Sequence, residues 1–314
     1  MRNDSETMGY DFKEDEIDLK ELMKVLIKDK SLVVYITAFF SIIGVLYSLS
    51  LPNVYQSTTL LYPTEQQNNN IAGAMKAYSG LAGIAGINVS SQASESNSVK
   101  ALKKLTSLSF FTENLMPNIF LPNLFAIDSW NEDSNTIIYD NDIYDNTKKS
   151  WTRDFSYPQT QIPSSQEGYE VFMKHLLVSE DPDSGFVTIA VKHQSPYIAQ
   201  KWTELVVNQI NNYFRTKDKI EAEIAVAYLQ EQIAKTNFTE VKQVIAELLQ
   251  GRTQQLSLIE VGEYYVFAYI DPPVVMEKKV EPIRSKICLF FAFSGLIFSL
   301  IFIIFRHYYK KREG

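Results

Sequence analysis

Nineteen consecutive residues, Ile287 to Phe305 (ICLFFAFSGLIFSLIFIIF), carry no charge. At ~1.5 Å per residue, a helix of that length crosses a hydrocarbon layer of ~30 Å. Pro272, Pro273 and Pro282 precede the run, and Arg306, Lys310, Lys311 and Arg312 follow it. A second uncharged run, Leu32 to Leu51, lies near the other end. Polar, acidic sequence precedes it and no A-x-A site follows it, which reads as a signal anchor and not a cleaved signal peptide. Two membrane helices therefore bracket everything else. The expected division is 1–31 as an N-terminal segment, 32–51 as the first span, 52–285 as one external domain, 286–305 as the second span and 306–314 as a basic tail.

Charge sets the orientation. Lys20, Lys24, Lys28 and Lys30 stand just before the first span, and no Lys or Arg follows it until Lys76. The positive-inside rule puts that N-terminal flank in the cytoplasm. The second span has four bases on either side and decides nothing alone, so the first span dictates that both termini are cytoplasmic and 52–285 periplasmic. Net charge is −7, and residues 31–305 hold 20 bases against 27 acids. No basic stripe exists for nucleic acid, and the acidic external part resists adsorption to an acidic membrane surface. Cys288, the single cysteine, lies inside the second apolar run, so one chain has no disulfide framework. Ile17, Leu22, Val25 and Leu26, broadened by Leu19, Met23 and Ile27, form a helical stripe within Glu16–Lys30, as expected for an amphipathic helix on a membrane surface.

The external part opens with VYQSTTLLYP, an alternating β-branched and aromatic run that predicts a strand. A glycine- and alanine-rich segment containing GLAGIAGI follows; it lacks the Lys of a phosphate loop and predicts close backbone packing. Residues 95–115 predict one capped helix. The stretch 127–165, rich in Asp, Asn, Ser and Tyr, predicts a solvated loop with one short strand at 135–139. Its Asp140, Asp142 and Asp145 fail the EF-hand pattern for want of the Gly and the closing Glu. Asp181 and Asp183 lie between two strand-like runs and predict a hairpin turn.

Ser195-Pro196 is a helix start. A helix to about Lys235, ~55–60 Å long, and a second over Thr239 to Leu258 together predict a long helical arm at about 196–258. A helix of that length cannot bury its apolar stripe on one small domain, which points to partner copies. EYYVFAYID, at 263–271, predicts a returning strand paired with the first. The fold class expected is α+β: a membrane-proximal α/β base, an extended helical arm and two flanking transmembrane helices.

Four small residues, Gly44 with Ser48 and Gly295 with Ser299, form small-xxx-small pairs in the two spans, a spacing that lets helices approach closely in lipid. With Pro272, Pro273 and Pro282 they are the candidate functional positions, for packing and for a stiff linker. Catalytic, cofactor-binding and metal-binding residues are not expected. His175 and His193 fall at hairpin strands as structural histidines, His307 falls in the tail, and no GxSxG, HExxH, CxxC or nucleotide-binding fingerprint occurs.

The order of these features carries a family resemblance: an EIDLKEL start, an apolar helix, VYQSTTLLYP, GLAGIAGI, a long helix with YLQEQIAKT, then EYYVFAYIDPPVVMEKKVEPIRSK and a last apolar helix. It resembles the Wzz family of polysaccharide co-polymerases, the chain length determinants of lipopolysaccharide O-antigen. The resemblance implies an inner-membrane homo-oligomer without catalysis of its own. It implies a Wzy-type polymerase and the growing lipid-linked polysaccharide as partners. Relatives fused to a tyrosine autokinase continue into a Walker-type domain, which is not expected here. The family's proline-rich stretch usually holds more prolines than this one. One rival reading is an adaptor for capsule or exopolysaccharide synthesis and export. Another is a two-helix sensory receptor, which would need more than nine residues after its second helix.

Overall fold

The computed structural model describes residues 28–64 and 97–313. The N-terminal amphipathic stretch and the GLAGIAGI segment lie outside the described residues, apart from the former's last three positions. In chain order the elements are α1 (Lys30–Ser50), β1 (Tyr55–Pro63), α2 (Asn97–Leu105), β2 (Ile127–Asn131), β3 (Thr136–Tyr139), β4 (Tyr144–Asp145), β5 (Ser150–Trp151), α3 (Ser165–His175), β6 (Leu176–Glu180), β7 (Val187–His193), α4 (Pro196–Lys235), α5 (Thr239–Val261), β8 (Phe267–Asp271) and α6 (Arg284–Glu313). The fold is mixed helix and strand. The chain divides into two compact units, one of residues 1–52 and 281–314, the other of residues 53–280.

The larger unit is built on a four-stranded antiparallel sheet in the order β6-β7-β1-β8. The first and last strands of the unit do pair, Leu61 opposite Tyr269 and Pro63 opposite Phe267, with a register shift between Leu60 and Leu61. The returning strand is shorter than expected and begins at Phe267. The hairpin β6–β7 forms as its turn residues dictate: Asp181 Oδ1 accepts from the Asp183 amide at 3.1 Å, and Gly185 takes φ +68°, a left-handed conformation costly for other residues.

Helix α4 packs on this sheet through Ala199, Trp202, Val206, Val207, Ile210 and Phe214, all buried at helical spacing. They join Leu61, Ile189, Phe110, Phe111, Phe172 and Phe267 in one core. Each large apolar side chain buried there contributes roughly 1.5–3 kcal/mol. Beyond Phe214 the helix leaves the core. Ile220, Ile224 and Tyr228 are exposed, and α5, joined to α4 by three residues, runs back antiparallel with Lys219 Nζ 2.7 Å from Glu260 Oε1. Val241, Val244 and Leu248 on α5 are exposed as well.

Two expectations need correction. Residues 95–115 are not one helix. Ser107 adopts an extended conformation and its hydroxyl accepts from the Phe110 amide at 3.2 Å, so it ends α2 and caps the next turn. A wider π-type turn over Phe111–Leu115 then buries Phe110, Phe111 and Leu115 together. The stretch 127–165 is not a loop with a single strand. The expected strand at 135–139 is β3, but it pairs with β2, turning at Asn135 with φ 48°, and β4 pairs with β5. Phe120, Tyr139, Tyr144 and Trp151 meet edge to face at 5.3–6.5 Å between centroids. Arg153 then ties the following segment down. It bonds both Glu167 oxygens at 2.6 and 3.0 Å and the carbonyls of Thr160 and Gln161. Glu167 also completes a capping box with Ser164 at the start of α3.

The smaller unit is the antiparallel pair α1 and α6. Both helices are long and apolar enough to cross a membrane. The first ends at Leu51, held extended by Pro52. The second starts at Arg284 and continues through the basic tail, longer than the expected 286–305.

Candidate functional site

The seven candidate positions fall in two places, each within its own structural setting. In the helix pair, Gly44, Ser48, Gly295 and Ser299 all lie in the contact between α1 and α6, and all are buried. A methyl group added to Gly44 would stand 2.6 Å from Phe291 Cβ; one added to Gly295 would stand 2.6 Å from Phe40 Cβ and 3.3 Å from Thr37 Cα. The missing Cβ atoms are thus what allows the approach. The serine hydroxyls bond back to their own helices, Ser48 Oγ to Val45 O at 3.0 Å and Ser299 Oγ to Leu296 O at 2.7 Å. They fill space without needing a partner across the interface. Ser48 Oγ also lies 3.8 Å from Cys288 Sγ. Around this small-residue seam, Phe40 meets Phe298 at 5.5 Å and Tyr47 meets Phe291 at 5.9 Å.

Pro272 and Pro273 follow β8, the first exposed and the second buried. Neither can donate a ladder hydrogen bond, and side chains secure the chain instead. Thr59 Oγ1 donates to Asp271 O at 2.7 Å, Gln200 Nε2 to Pro273 O at 3.2 Å, and Ser57 Oγ to Val274 O at 2.8 Å. Farther on, Lys279 Nζ donates to Asn53 Oδ1 at 2.7 Å and the Val280 amide to Val54 O at 2.9 Å. Pro282, half-buried, belongs to the helix-pair unit just before α6.

Sequence reasoning missed Ser57, Thr59, Gln200 and Asn211. A signal existed for the first two. On β1 the inward positions are Tyr55, Ser57, Thr59 and Leu61, so two hydroxyls sit where an amphipathic strand would carry apolar groups.

The titratable groups in the larger unit serve the fold. His193 is buried: its Nε2 donates to Asn123 O at 3.0 Å while its Nδ1 accepts from the Ser195 amide at 2.8 Å. Those partners fix the neutral tautomer, and burial pushes its pKa down to about 4. His175 lies 3.0 Å from Lys192 O, and burial lowers its pKa too. Glu167 is held low by its Arg153 partner. Asp140, Asp145 and Asp181 accept from backbone amides two or three residues on, as turn caps do. Among the described residues, no three His, Cys, Asp or Glu side chains converge as a metal site would require.

Residues 15–115 match the protein family described as "Wzz: Chain length determinant protein". No curated protein gives a significant match. Among solved structures, the chain is similar to a "full-length bacterial polysaccharide co-polymerase" at 11% identity and TM-score 0.38, covering 94% of this chain and 99% of that one. It is also similar to a "Fragment of WzzB, Polysaccharide Co-polymerase from Salmonella Typhimurium" at 12% identity and TM-score 0.32, covering 73% and 100%. The match over residues 15–115 takes in α1, β1 and α2, the elements on which the helix pair and the sheet are built. In that segment, 101 of the 314 residues, the chain is similar to the Wzz family of chain length determinant proteins.

Proposed function

We propose that this protein is a non-catalytic inner-membrane regulator that sets the modal length of lipopolysaccharide O-antigen made by a Wzy-type polymerase. The observation that carries the reading is the family match over residues 15–115. The helix pair supports a two-span anchor, and the lysines before the first span support cytoplasmic termini with 52–285 periplasmic. Buried His193 and the side chains of Asp140, Asp145 and Asp181 are engaged in backbone contacts, which suits a scaffold better than a reaction centre. The apolar residues exposed on the outer half of α4 and on α5 (Ile220, Ile224, Tyr228, Val241, Val244, Leu248) support a homo-oligomer, since such a stripe is stable when another copy covers it.

The test is removal of the gene followed by gel analysis of surface glycans. Loss of the preferred O-antigen length supports the proposal. An unchanged O-antigen with altered capsule or secreted polymer would assign the protein to capsule or exopolysaccharide synthesis and export instead.

A further inference from the structure

The segment Asp271–Val280 runs on past β8, beside the part of β1 that β8 does not reach. Within it, two consecutive prolines remove backbone donors, so ordinary strand pairing cannot hold it there. What does hold it is a row of side chains from two other elements. Ser57 and Thr59 of β1 are completely buried, and each gives its hydroxyl to a carbonyl of this segment. Gln200, in the first turns of α4, reaches a third carbonyl between them. Thr203, one turn further along α4 and also completely buried, donates instead to the Ser57 carbonyl and to its own helix. The polar layer between α4, β1 and the segment is therefore satisfied, and satisfied buried polar groups select one arrangement over its neighbours. A shift of the segment by one residue would strand the two buried hydroxyls of Ser57 and Thr59 away from water, which is costly.

We propose that Ser57, Thr59 and Gln200 are positioning residues that clamp the Asp271–Val280 linker to β1 and α4. The clamp fixes the place where the chain leaves the sheet, with Val280 bonded beside Val54, the residue at which it arrives. The long helix α4 begins at this clamp, so a displacement of the arm's root is carried into the linker by side chains in addition to proline stiffness. The effect on glycan length rests on the function proposed above; the clamp itself does not.

The test uses the full-length protein in lipid nanodiscs and two sets of variants. Ser57→Ala with Thr59→Val removes two clamp hydroxyls and keeps the side-chain volumes nearly constant. Thr203→Val removes an equally buried hydroxyl that does not touch the linker. Hydrogen exchange at the linker amides, the Val280 amide above all, is expected to quicken at least roughly tenfold in the double variant and to stay unchanged in Thr203→Val. Equal exchange in the double variant and wild type overturns the clamp, and this arm decides it whatever the glycan does. In cells the double variant is expected to broaden or shift the preferred O-antigen length at normal protein level. Faster exchange with an unaltered ladder, in a strain whose ladder does depend on the gene, overturns the positioning role and leaves the proposed function standing.

Discussion

Asn211 and Phe267 are bonded in both directions: Asn211 Nδ2 donates to Phe267 O at 2.9 Å, while its Oδ1 accepts from the Phe267 amide at 3.0 Å. The same oxygen accepts from the amides of Val266 at 2.8 Å and Tyr265 at 3.3 Å. One buried amide on α4 thus replaces a strand at the start of β8. Asn211→Leu keeps the branched side-chain shape but leaves buried amides and a carbonyl without partners, so a loss of about 3 kcal/mol is expected. A denaturant midpoint for the full-length variant within error of wild type would contradict this.

Gly295→Leu places a branched side chain against Phe40 and the Thr37 backbone, a contact that cannot relax without separating α1 from α6. The preferred O-antigen length is expected to shift while the protein level stays normal. Gly44→Leu, which meets Phe291, should act in the same direction. Immunoblots and glycan gels from the same cultures check both parts, and an unchanged length would sink the role assigned to this seam.

The helix pair can also be probed directly. Ser48→Cys puts a second sulfur beside Cys288, at a site where the present oxygen–sulfur distance is 3.8 Å. Mild oxidation in membranes should give a fast-migrating intrachain species on non-reducing gels. A covalent dimer in its place would mean that α1 and α6 meet between chains and not within one.

Acidification should weaken the larger unit before its carboxylates titrate. His193 is neutral in the fold with its pKa lowered to about 4, against an ordinary value of 6.5, so the unfolded chain takes up a proton that the folded chain refuses. His175 is shifted the same way. Stability is complete above about pH 6.5 and falls as pH drops toward 4, by up to about 3 kcal/mol for His193. Melting temperatures measured from pH 8 to pH 5 check the sign; His193→Gln should flatten the slope.

Gly251 lies inside α5, and beyond its chain neighbours and the helix's own backbone no heavy atom comes within 4 Å of the place its Cβ would occupy. Gly251→Ala should therefore stabilise that helix, by roughly 0.5–1 kcal/mol. A fall in melting temperature would mean that another surface covers this face.

Much of this was legible in the sequence because the signals were local. Charge-free runs mark α1 and α6, Ser195-Pro196 marks the start of α4, and the aspartates of 181–183 mark the β6–β7 turn. The small-residue spacing in the two apolar runs pointed to Gly44 and Gly295, although not to the partner each would meet. What escaped notice depends on pairs distant in the chain. Ser107 reads as one more helical residue until Phe110 and Phe111 are seen competing for the core. The 127–165 stretch looks solvated because its aromatic residues are scattered among acids, and only folding brings Tyr139, Tyr144 and Trp151 together. Ser57 and Thr59 look misplaced on a strand until carbonyls more than two hundred residues later arrive beside them.

The most direct measurement is the O-antigen ladder from a strain lacking this gene, complemented with the wild-type gene or an empty vector. Chain length regulation predicts a clustered ladder with the gene and a random distribution without it. A ladder equally clustered in both strains would contradict the account.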